Sequence, residues 1–386
     1  MIVNCWPSNV ERCTSSVAQT TFFAGVPDEE NYERTMKGAK RPFDESDWRR
    51  HDSKRWLAAL AAAGDATRDA DMDEIRKLRR LVWMQTQRFC KDTQFFLKPA
   101  ESEKIMKLNM EPIGRSVPRP FVEPATVRVV QADMLEAAGQ LHKKYGGCVA
   151  VLNMANATRP GGGVNAGAGA QEEDLHRRSD LYRWTIEQER RVYPLDDREC
   201  LFSRSVSVFR GPERGGYEFL RHEDRFEVSV LSCAAVVHPA LTAALKYADG
   251  CDATLMKEKI ELILQVAASK RCNAVVLSAF GCGAFGNPPE QVARMFKEVL
   301  GGSGNENELR FHVREFVFCI LEDHNSNRHH NPKGNLQPFM EVLHPVLPPS
   351  IASVVVDVPS ADVRSDARAE GFLPLRGTSR FQRMLI

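Results

Sequence analysis

The stretch CVAVLNMANATRPGGGVNAGAGAQEEDLHRRSDLY, residues 148–182, decides the fold of this chain. It opens with an apolar run at 148–154, which is typical of a strand that is buried on both faces. A glycine-rich loop follows, and a helix is predicted from about Gln171 to Arg191. A buried strand, a loop and a helix in this order form the repeating unit of an α/β fold.

The same alternation continues on both sides of this stretch. Further strands are predicted at 126–131, 206–209, 226–234, 274–280 and 313–321, and helices lie between several of them, as at 257–270. The pattern predicts a three-layer α/β domain with a largely parallel sheet. Ligands of such sheets bind at the carboxyl ends of the strands, where both glycine-rich loops of this chain lie.

Changes in sequence texture predict four regions. Residues 1–45 show no lasting periodicity and are predicted to be a flexible leader; they lack the features of a secretory signal, and their Ser/Thr content leaves a transit peptide open. Residues 46–118 show helical periodicity and are predicted to be a helical accessory region. The α/β domain is assigned to 119–345, and 346–386 is predicted to be a polar, flexible tail.

Composition excludes several classes of protein. Hydrophobic residues make up 43% and charged residues 27% of the 386 residues, as in an average soluble globular protein. The formal net charge is +1, so direct, non-specific binding to DNA is not expected. No apolar run approaches the ~18 residues of a membrane span, so no membrane association is expected. The 10 cysteines form no CxxC pair, which favours a reducing intracellular compartment, the cytoplasm or the nucleus.

The first glycine-rich loop combines an anion-binding element with two acids. Gly161, Gly162 and Gly163 permit positive φ angles and a close approach of the backbone to a ligand, and their N–H groups can form a nest for an anion. Glu172 and Glu173 follow at the start of a helix, where acids are also favoured by the helix dipole. Behind a glycine triplet, the pair is interpreted as an acid/base group and a binder of ribose hydroxyls.

The second loop, GCGAFGNP at 281–288, also joins a strand to a helix and is suited to hold a diphosphate. It satisfies GxGxxG, the pattern of dinucleotide-binding dehydrogenases. That fingerprint needs an acidic residue about 20 positions later, at the end of a strand. Here the interval ends in or just after a predicted helix, near Glu298, so an NAD-dependent oxidoreductase is disfavoured.

These motifs resemble the microbial-type poly(ADP-ribose) glycohydrolase family, which is built on a macrodomain. The segment GGGVNAGAGAQEE, residues 161–173, is similar to the family signature, and GCGAFGN at 281–287 resembles the family's diphosphate loop. The segment 127–138 is similar to the first macrodomain strand. The resemblance covers about residues 120–325 and implies a macrodomain-like mixed sheet with an N-terminal helical subdomain, in which 119–345 is the catalytic domain.

The resemblance also implies roles for individual residues. Glu173 would be the general acid/base that cleaves the ribose–ribose O-glycosidic bond, and Glu172 would hold ribose hydroxyls. Asn156 and Phe285 would contact the terminal ribose, and Asp133 would accept a hydrogen bond from adenine. The remaining ligand-binding positions, which would surround the diphosphate or lie beside it, are Gly161, Gly162, Gly163, Gln171, Gly281, Cys282, Gly283, Ala284 and Gly286.

The chemistry differs from that of most glycosidases, in which two carboxylates flank the bond. Adjacent glutamates cannot do so, so one acid must serve both steps while the ion-like sugar is stabilised electrostatically. Burial beside a second carboxyl and a bound diphosphate would favour the protonated acid. Neither a cofactor nor a metal ion is expected.

Several other side chains have two interpretations. The histidines His324, His329 and His330 fit a solvated loop better than a metal site. The arginines Arg159, Arg177, Arg178 and Arg210 either assist an anionic polymer or are surface charges. Asn153 either contacts the ligand or caps a turn, whereas the aromatic residues Trp48, Trp56, Trp83, Tyr182 and Trp184 are predicted to be core.

The expected function is hydrolysis of poly(ADP-ribose), or of polymer on ADP-ribosylated proteins, with ADP-ribose as the product. Two alternatives use the same pocket. One is an ADP-ribose reader without turnover, and the other is a hydrolase of mono-ADP-ribosyl substrates. The intact glutamate pair favours an enzyme over a reader.

Overall fold

Seven strands form one mixed sheet in the computed structural model, which describes residues 51–63, 69–91, 102–106, 120–301, 309–323 and 325–343. The strands are β1 (Ser102–Met106), β2 (Thr126–Val130), β3 (Val149–Met154), β4 (Glu199–Val208), β5 (Phe226–Cys233), β6 (Ala274–Leu277) and β7 (Glu315–Cys319). The helices are α1 (Ser53–Ala62), α2 (Asp69–Lys91), α3 (Met134–Tyr145), α4 (Gln171–Arg178), α5 (Leu181–Trp184), α6 (Glu189–Val192), α7 (Gly250–Ser269), α8 (Pro289–Gly301) and α9 (Leu336–Leu343).

The strand order places the loops that matter at one edge of the sheet. The order is β1-β4-β5-β3-β6-β7-β2, and β5, β3, β6, β7 and β2 run parallel to one another. The strand β4 is antiparallel to both β5 and β1. The carboxyl ends of the five parallel strands therefore meet at the same edge, and the glycine-rich loops that follow β3 and β6 are neighbours there.

The central strands are apolar because both faces of the sheet are covered. Every residue of β6 and β7 is buried, and so are all residues of β3 except Met154. Continuous burial of this kind needs a helical layer on each face, as in three-layer α/β/α domains. The predicted fold class is therefore confirmed.

The described helices of the accessory region and the sheet belong to one compact unit. Trp56 of α1 is completely buried; its indole N–H donates to the carbonyl of Leu78 at 3.2 Å, and its ring packs edge-on to Tyr217. The prediction of core tryptophans is thus confirmed for Trp56 and for Trp83, which is 2% exposed. Trp48 lies outside the described residues, as do the predicted leader and tail.

One part of this region is not helical. The five residues of β1 fall inside the predicted helical stretch 46–118, yet they pair antiparallel with β4. The sequence SEKIM carries little apolar periodicity. Its strand conformation comes from backbone hydrogen bonds to the exposed edge of β4, a tertiary effect that a pattern of side chains does not reveal.

The predicted continuous helix from 171 to 191 is also wrong. It is interrupted after Arg178, because the chain there pairs with the end of β4. The Asp180 N–H donates to the Ser207 carbonyl at 3.0 Å, and the Asp180 carboxylate accepts from the Ser207 N–H at 2.6 Å. This double contact turns the chain into the short helices α5 and α6, and it fixes the end of α4 against the sheet.

No helix among the described residues combines the length and the apolar character that a bilayer crossing requires.

The core gives a first prediction, for Phe318→Ala. Phe318 of β7 is completely buried, and its ring lies 5.0 Å from that of Phe296 on α8 and 5.7 Å from that of Phe339 on α9. Truncation removes this junction and leaves a cavity, so the free energy of unfolding should fall by about 3–5 kcal/mol in denaturant titrations. Leu321→Ala, at a side chain that is 51% exposed, should change it by less than about 0.5 kcal/mol. Equal effects would contradict this account of the core.

Candidate active site

The acid pair is held by backbone amides of the loop that precedes it. Glu172 is 4% exposed; one carboxylate oxygen accepts from the Asn156 N–H at 2.7 Å and the other from the Gly161 N–H at 3.0 Å. The Asn153 amide group lies 3.5 Å from the same carboxylate and donates to Ser232 at 3.0 Å. Glu172 is therefore fixed between β3, β5 and the glycine loop.

Glu173 is buried with one oxygen bonded and the other open. Its Oε1 accepts from the Gly163 N–H at 2.7 Å. Its Oε2 is buried and has no hydrogen-bond partner among the described residues. A buried carboxyl oxygen without a partner is costly, and a ligand that donates a hydrogen bond to this atom would remove that cost.

Gly162 is the residue that lets both acids approach the loop. Its φ is +54°, and a Cβ there would lie 2.5 Å from Glu173 Oε1 and 3.0 Å from Glu172 Oε2. A side chain would therefore collide with both carboxyl groups. The two carboxyl groups lie against the place where a Cβ of residue 162 would be, and glycine is the residue that has no Cβ.

The glycine triplet does not form the open anion nest that the sequence suggests. Gly161 and Gly163 donate to the two glutamates, and the Gly162 N–H donates to the carbonyl of Arg159 at 3.1 Å. The amides of this loop thus donate to the protein's own groups in this structure, and the predicted contact of Gly161, Gly162 and Gly163 with a diphosphate stays a prediction. The nest is occupied by the protein's own carboxylates, and Gly163, with φ near −97°, does not use the left-handed region.

Gln171 and Asn156 are engaged in positioning the loop. The Gln171 side chain accepts from the Met154 N–H at 2.9 Å and donates to the Leu152 carbonyl at 2.8 Å, which fastens the start of α4 to β3. The side-chain oxygen Oδ1 of Asn156 accepts from the N–H groups of Thr158 and Arg159, both at 2.9 Å. Their ligand contacts stay predictions; the Asn156 amide group is the part left to make one.

Asp133 is bound inside the protein. It caps α3 by accepting from the Glu136 N–H, and its carboxylate forms a bidentate pair with Arg178 at 2.7 and 2.9 Å. Burial opposes ionisation, but the Arg178 charge and hydrogen bonds lower the pKa of Asp133 below its ordinary value. The pair ties α3 to the end of α4. The predicted adenine contact of Asp133 stays a prediction.

The second loop is anchored by Asn287 and presents unpaired amides. The Asn287 side chain donates to the carbonyls of Val236 and Gly281, at 2.7 and 3.0 Å. In contrast, the N–H groups of Gly283, Ala284 and Phe285 have no acceptor among the described residues. Three successive open amides after a parallel strand are an arrangement that suits an anion.

The other predicted loop residues lie beside these amides. Gly281 and Gly286 adopt φ values of +73° and +74°. Cys282 is buried, and its carbonyl lies 2.8 Å from Nε2 of His330. The Phe285 ring is half-buried against the main core, and its carbonyl accepts from the His238 N–H at 2.8 Å.

Helix α2 braces the catalytic loop, a role that the sequence analysis missed. The indole N–H of Trp83 donates to the Asn165 side chain at 2.7 Å, and its ring packs edge-on to His176 of α4. His176 Nδ1 lies 2.8 Å from the carbonyl oxygen of Glu172. The Thr86 hydroxyl donates to the Arg177 carbonyl at 2.7 Å. Helix α2 thus contacts the loop through Asn165 and helix α4 through His176 and Arg177.

Three of the four arginines fit neither of the two predicted roles, contact with an anionic polymer or surface charge. Arg177, Arg178 and Arg210 are buried, so they are neither surface charges nor accessible to a polymer, whereas Arg159 is exposed. Arg177 donates to the Tyr217 hydroxyl at 2.9 Å, and the Arg210 guanidinium lies 3.8 Å from the Phe219 ring centroid. Of the three, Arg210 also donates to the Gln85 side chain of α2 at 3.2 Å, which links the accessory region to the rest of the domain.

The remaining alternatives are resolved in part. Tyr182 and Trp184 are buried, as predicted, and Asn153 is a structural partner of Glu172. His324 lies outside the described residues, and His329 is exposed. The described part of the chain contains no cluster of three or more metal-binding side chains.

The buried position of Glu172 changes its pKa. Burial raises its pKa to about 8, and the Glu173 carboxylate acts in the same direction, while the Asn156 and Gly161 amides oppose the shift. At neutral pH the site therefore retains a proton within a buried pair of acids. A retained proton beside an open carboxyl oxygen suits general acid catalysis.

Comparison with known proteins agrees with the motifs. The family model described as microbial-type PARG, catalytic domain, matches residues 80–211. The crystal structure of poly(ADP-ribose) glycohydrolase from Thermomonospora curvata is 23% identical, covers 68% of this chain and 98% of its own, and superposes with a TM-score of 0.52. The enzyme from Deinococcus radiodurans in complex with ADP-ribose is 26% identical over 59% of this chain and 88% of its own, with a TM-score of 0.46. No curated protein sequence matches the chain.

The brace of α2 gives a second prediction, for Trp83→Phe. The change removes one hydrogen bond to Asn165, worth about 1 kcal/mol, so the amides of the loop 161–168 should exchange with deuterium about fivefold faster. Trp56→Phe is the matched control, because it also removes one indole hydrogen bond from a buried tryptophan. It should leave exchange in this loop unchanged. A uniform acceleration in both variants would show general destabilisation instead of a local brace.

The raised pKa of Glu172 gives a third prediction. Because the native state holds a proton that the unfolded chain loses above its ordinary pKa near 4.5, stability falls as the pH rises from about 4.5 to 8. The slope for one such group reaches about 1.4 kcal/mol per pH unit. Denaturant titrations at several pH values should show a shallower slope in Glu172→Gln, whatever the variant's stability at low pH. Glu227→Gln, at an exposed position of β5, should keep the wild-type slope.

Proposed function

We propose that this chain, whose residues 80–211 match the microbial-type PARG catalytic domain, is a poly(ADP-ribose) glycohydrolase that releases ADP-ribose from the polymer. One observation carries the proposal. Glu173 is buried, held through one oxygen by Gly163, and open at the other oxygen, at the sheet edge where the second loop presents three unpaired amides. An acid and an anion site at one edge suit a glycosidic bond next to a diphosphate.

In the proposed reaction Glu173 serves twice. Its protonated Oε2 gives a proton to the leaving ribose oxygen as the glycosidic bond breaks, and a positively charged, oxocarbenium-like ribose forms. The Glu173 carboxylate then takes a proton from water, whose oxygen bonds to the anomeric carbon. The acid is restored at the end of the cycle, so one residue completes both steps.

Glu172 is proposed to hold ribose hydroxyls and to keep the pair partly protonated. The free protein retains a proton at Glu172, because its pKa is about 8. A diphosphate bound nearby adds negative charge and disfavours the ionised form of Glu172, which keeps a proton beside Glu173 when substrate is present.

The other contacts follow the resemblance. The open amides of Gly283, Ala284 and Phe285 support a diphosphate contact in the second loop. The half-buried Phe285 ring and the Asn156 amide group are proposed to contact the terminal ribose. Asp133 is proposed to accept a hydrogen bond from adenine.

Substrate and compartment are proposed together. The substrate is poly(ADP-ribose), free or attached to proteins, and the product is ADP-ribose. All eight described cysteines are thiols, which supports a reducing intracellular compartment.

The fourth prediction tests the acid directly with Glu173→Gln. Loss of a general acid/base should reduce release of ADP-ribose from labelled polymer by about 10²–10⁴-fold. Binding of ADP-ribose, measured by calorimetry, should change little, because the amide keeps the size of the side chain. Glu187→Gln, the same change at an exposed position nearby, should retain wild-type turnover.

Three outcomes would overturn the proposal. Equal turnover in Glu173→Gln would remove Glu173 from the reaction. Tight ADP-ribose binding by a wild-type protein that releases nothing would identify a reader. Release only from mono-ADP-ribosylated protein would select the alternative hydrolase.

A further inference from the structure

Two thiols lie in contact at the amino edge of the sheet, opposite the candidate active site. Cys148 directly precedes β3, and Cys272 precedes β6, the parallel neighbour of β3. Their sulfur atoms are 3.0 Å apart. The backbone holds them there, because the Asn273 N–H donates to the Cys148 carbonyl at 2.7 Å and extends the ladder of the two strands.

The surroundings of the two thiols differ. Cys148 is half-buried, and its sulfur also lies 3.3 Å from the Ser229 hydroxyl, whereas Cys272 is completely buried. Contact with Cys272 and Ser229 and the charge of Arg204 lower the pKa of Cys148 to about 7, against the effect of burial. The thiol of Cys272 is hydrogen-bonded to Cys148 and buried, and both effects raise its pKa. Lys270 is the other cation that acts on this pair.

This asymmetry separates an attacking thiolate from a resolving thiol. About half of Cys148 is thiolate at pH 7, and its position is accessible from solvent. Five other described cysteines are buried, and burial raises the pKa of each: Cys90, Cys200, Cys233, Cys282 and Cys319. The pair at 148 and 272 therefore differs from the cysteines that serve as core packing.

We propose that Cys148 and Cys272 are a reversible oxidation site that forms an intramolecular disulfide when the protein meets a hydroperoxide. The Cys148 thiolate attacks the peroxide oxygen, forms a sulfenic acid and releases hydroxide. The Cys272 sulfur then loses its proton, attacks the Cys148 sulfur and displaces its hydroxyl group as water. In sum, two thiols and one hydrogen peroxide give one disulfide and two waters, and the peroxide is the oxidant.

The bond would link the amino ends of β3 and β6, which are 124 residues apart in the chain. Closing so long a loop restricts the unfolded state, so the oxidised protein should unfold at a temperature about 5–10 °C higher. The carboxyl ends of the same strands carry the two glycine-rich loops, and the ladder between them already exists. The disulfide is therefore expected to stabilise the domain while leaving basal turnover unchanged.

The test uses the full-length, reduced protein and hydrogen peroxide at pH 7. Peptide mapping without reductant should find one linked pair, from Cys148 and Cys272, which dithiothreitol reverses. Cys148 should be oxidised about threefold faster than the exposed Cys251, because a lowered pKa favours the attacking thiolate of Cys148 and Cys272 lies beside it to complete the disulfide. In Cys272→Ser, a sulfenic acid at Cys148 should accumulate and be trapped by dimedone.

Cys251→Ser is the matched control and should keep the linked peptide and the rise in unfolding temperature, both of which Cys148→Ser should lose. Oxidation of Cys148 to sulfinic acid, or a reaction no faster than at Cys251, would overturn the proposal. So would a linked pair of other cysteines. If Cys272→Ser fails to fold, peptide mapping of the wild type decides the question alone. No step needs a nucleotide substrate, so the result is independent of the proposed glycohydrolase activity.

Discussion

The site depends on hydrogen bonds from backbone amides to two buried carboxyl groups. Three amides of one loop, at Asn156, Gly161 and Gly163, donate to Glu172 and Glu173. Hydrogen bonds to carboxylates are among the strong ones, and they repay part of the cost of burying two acids side by side. The geometry requires that position 162 carry no side chain, since a Cβ there would lie 2.5 Å from Glu173. The glycine at position 162 is thus explained by the protein's own acids before any ligand is considered.

Positioning of that loop extends outward through successive contacts. Gln171 fastens the start of α4 to β3, and the buried ion pair of Arg178 and Asp133 fastens its end. Trp83 of α2 binds the loop by a hydrogen bond to Asn165. Breaking one partner of a buried ion pair typically costs about 3–5 kcal/mol, so these anchors are stiff. Helix α2 of the accessory region therefore positions the candidate site, and the match to the family model begins within this helix at residue 80.

Local patterns predicted the parts of this molecule that local physics determines. The apolar runs of β3, β6 and β7 and the glycine-rich loops after β3 and β6 depend on residues close in sequence, and their places are confirmed. The exceptions all involve distant partners. Strand β1 exists because β4 offers an edge, and α4 stops because Asp180 bonds to Ser207. Arg177 is buried because it donates to the Tyr217 hydroxyl, and Arg210 is buried beside Gln85 of α2, to which it donates. Charge in a sequence predicts exposure only until such a partner is found.

The backbone amides of the two glycine-rich loops have different acceptors, a difference that the two sequences do not predict. The first loop directs its amides at acids, and the second leaves the amides of Gly283, Ala284 and Phe285 without an acceptor. The proposed diphosphate contact therefore falls on the second loop, since the amides of the first loop already donate to Glu172 and Glu173. Binding there brings further negative charge to the edge where Glu172 retains a proton, and repulsion makes that proton harder to lose. Substrate binding and protonation of the acid pair thus favour each other, so a ligand with a diphosphate should bind more tightly as the pH falls through about 8, whereas a neutral nucleoside should not.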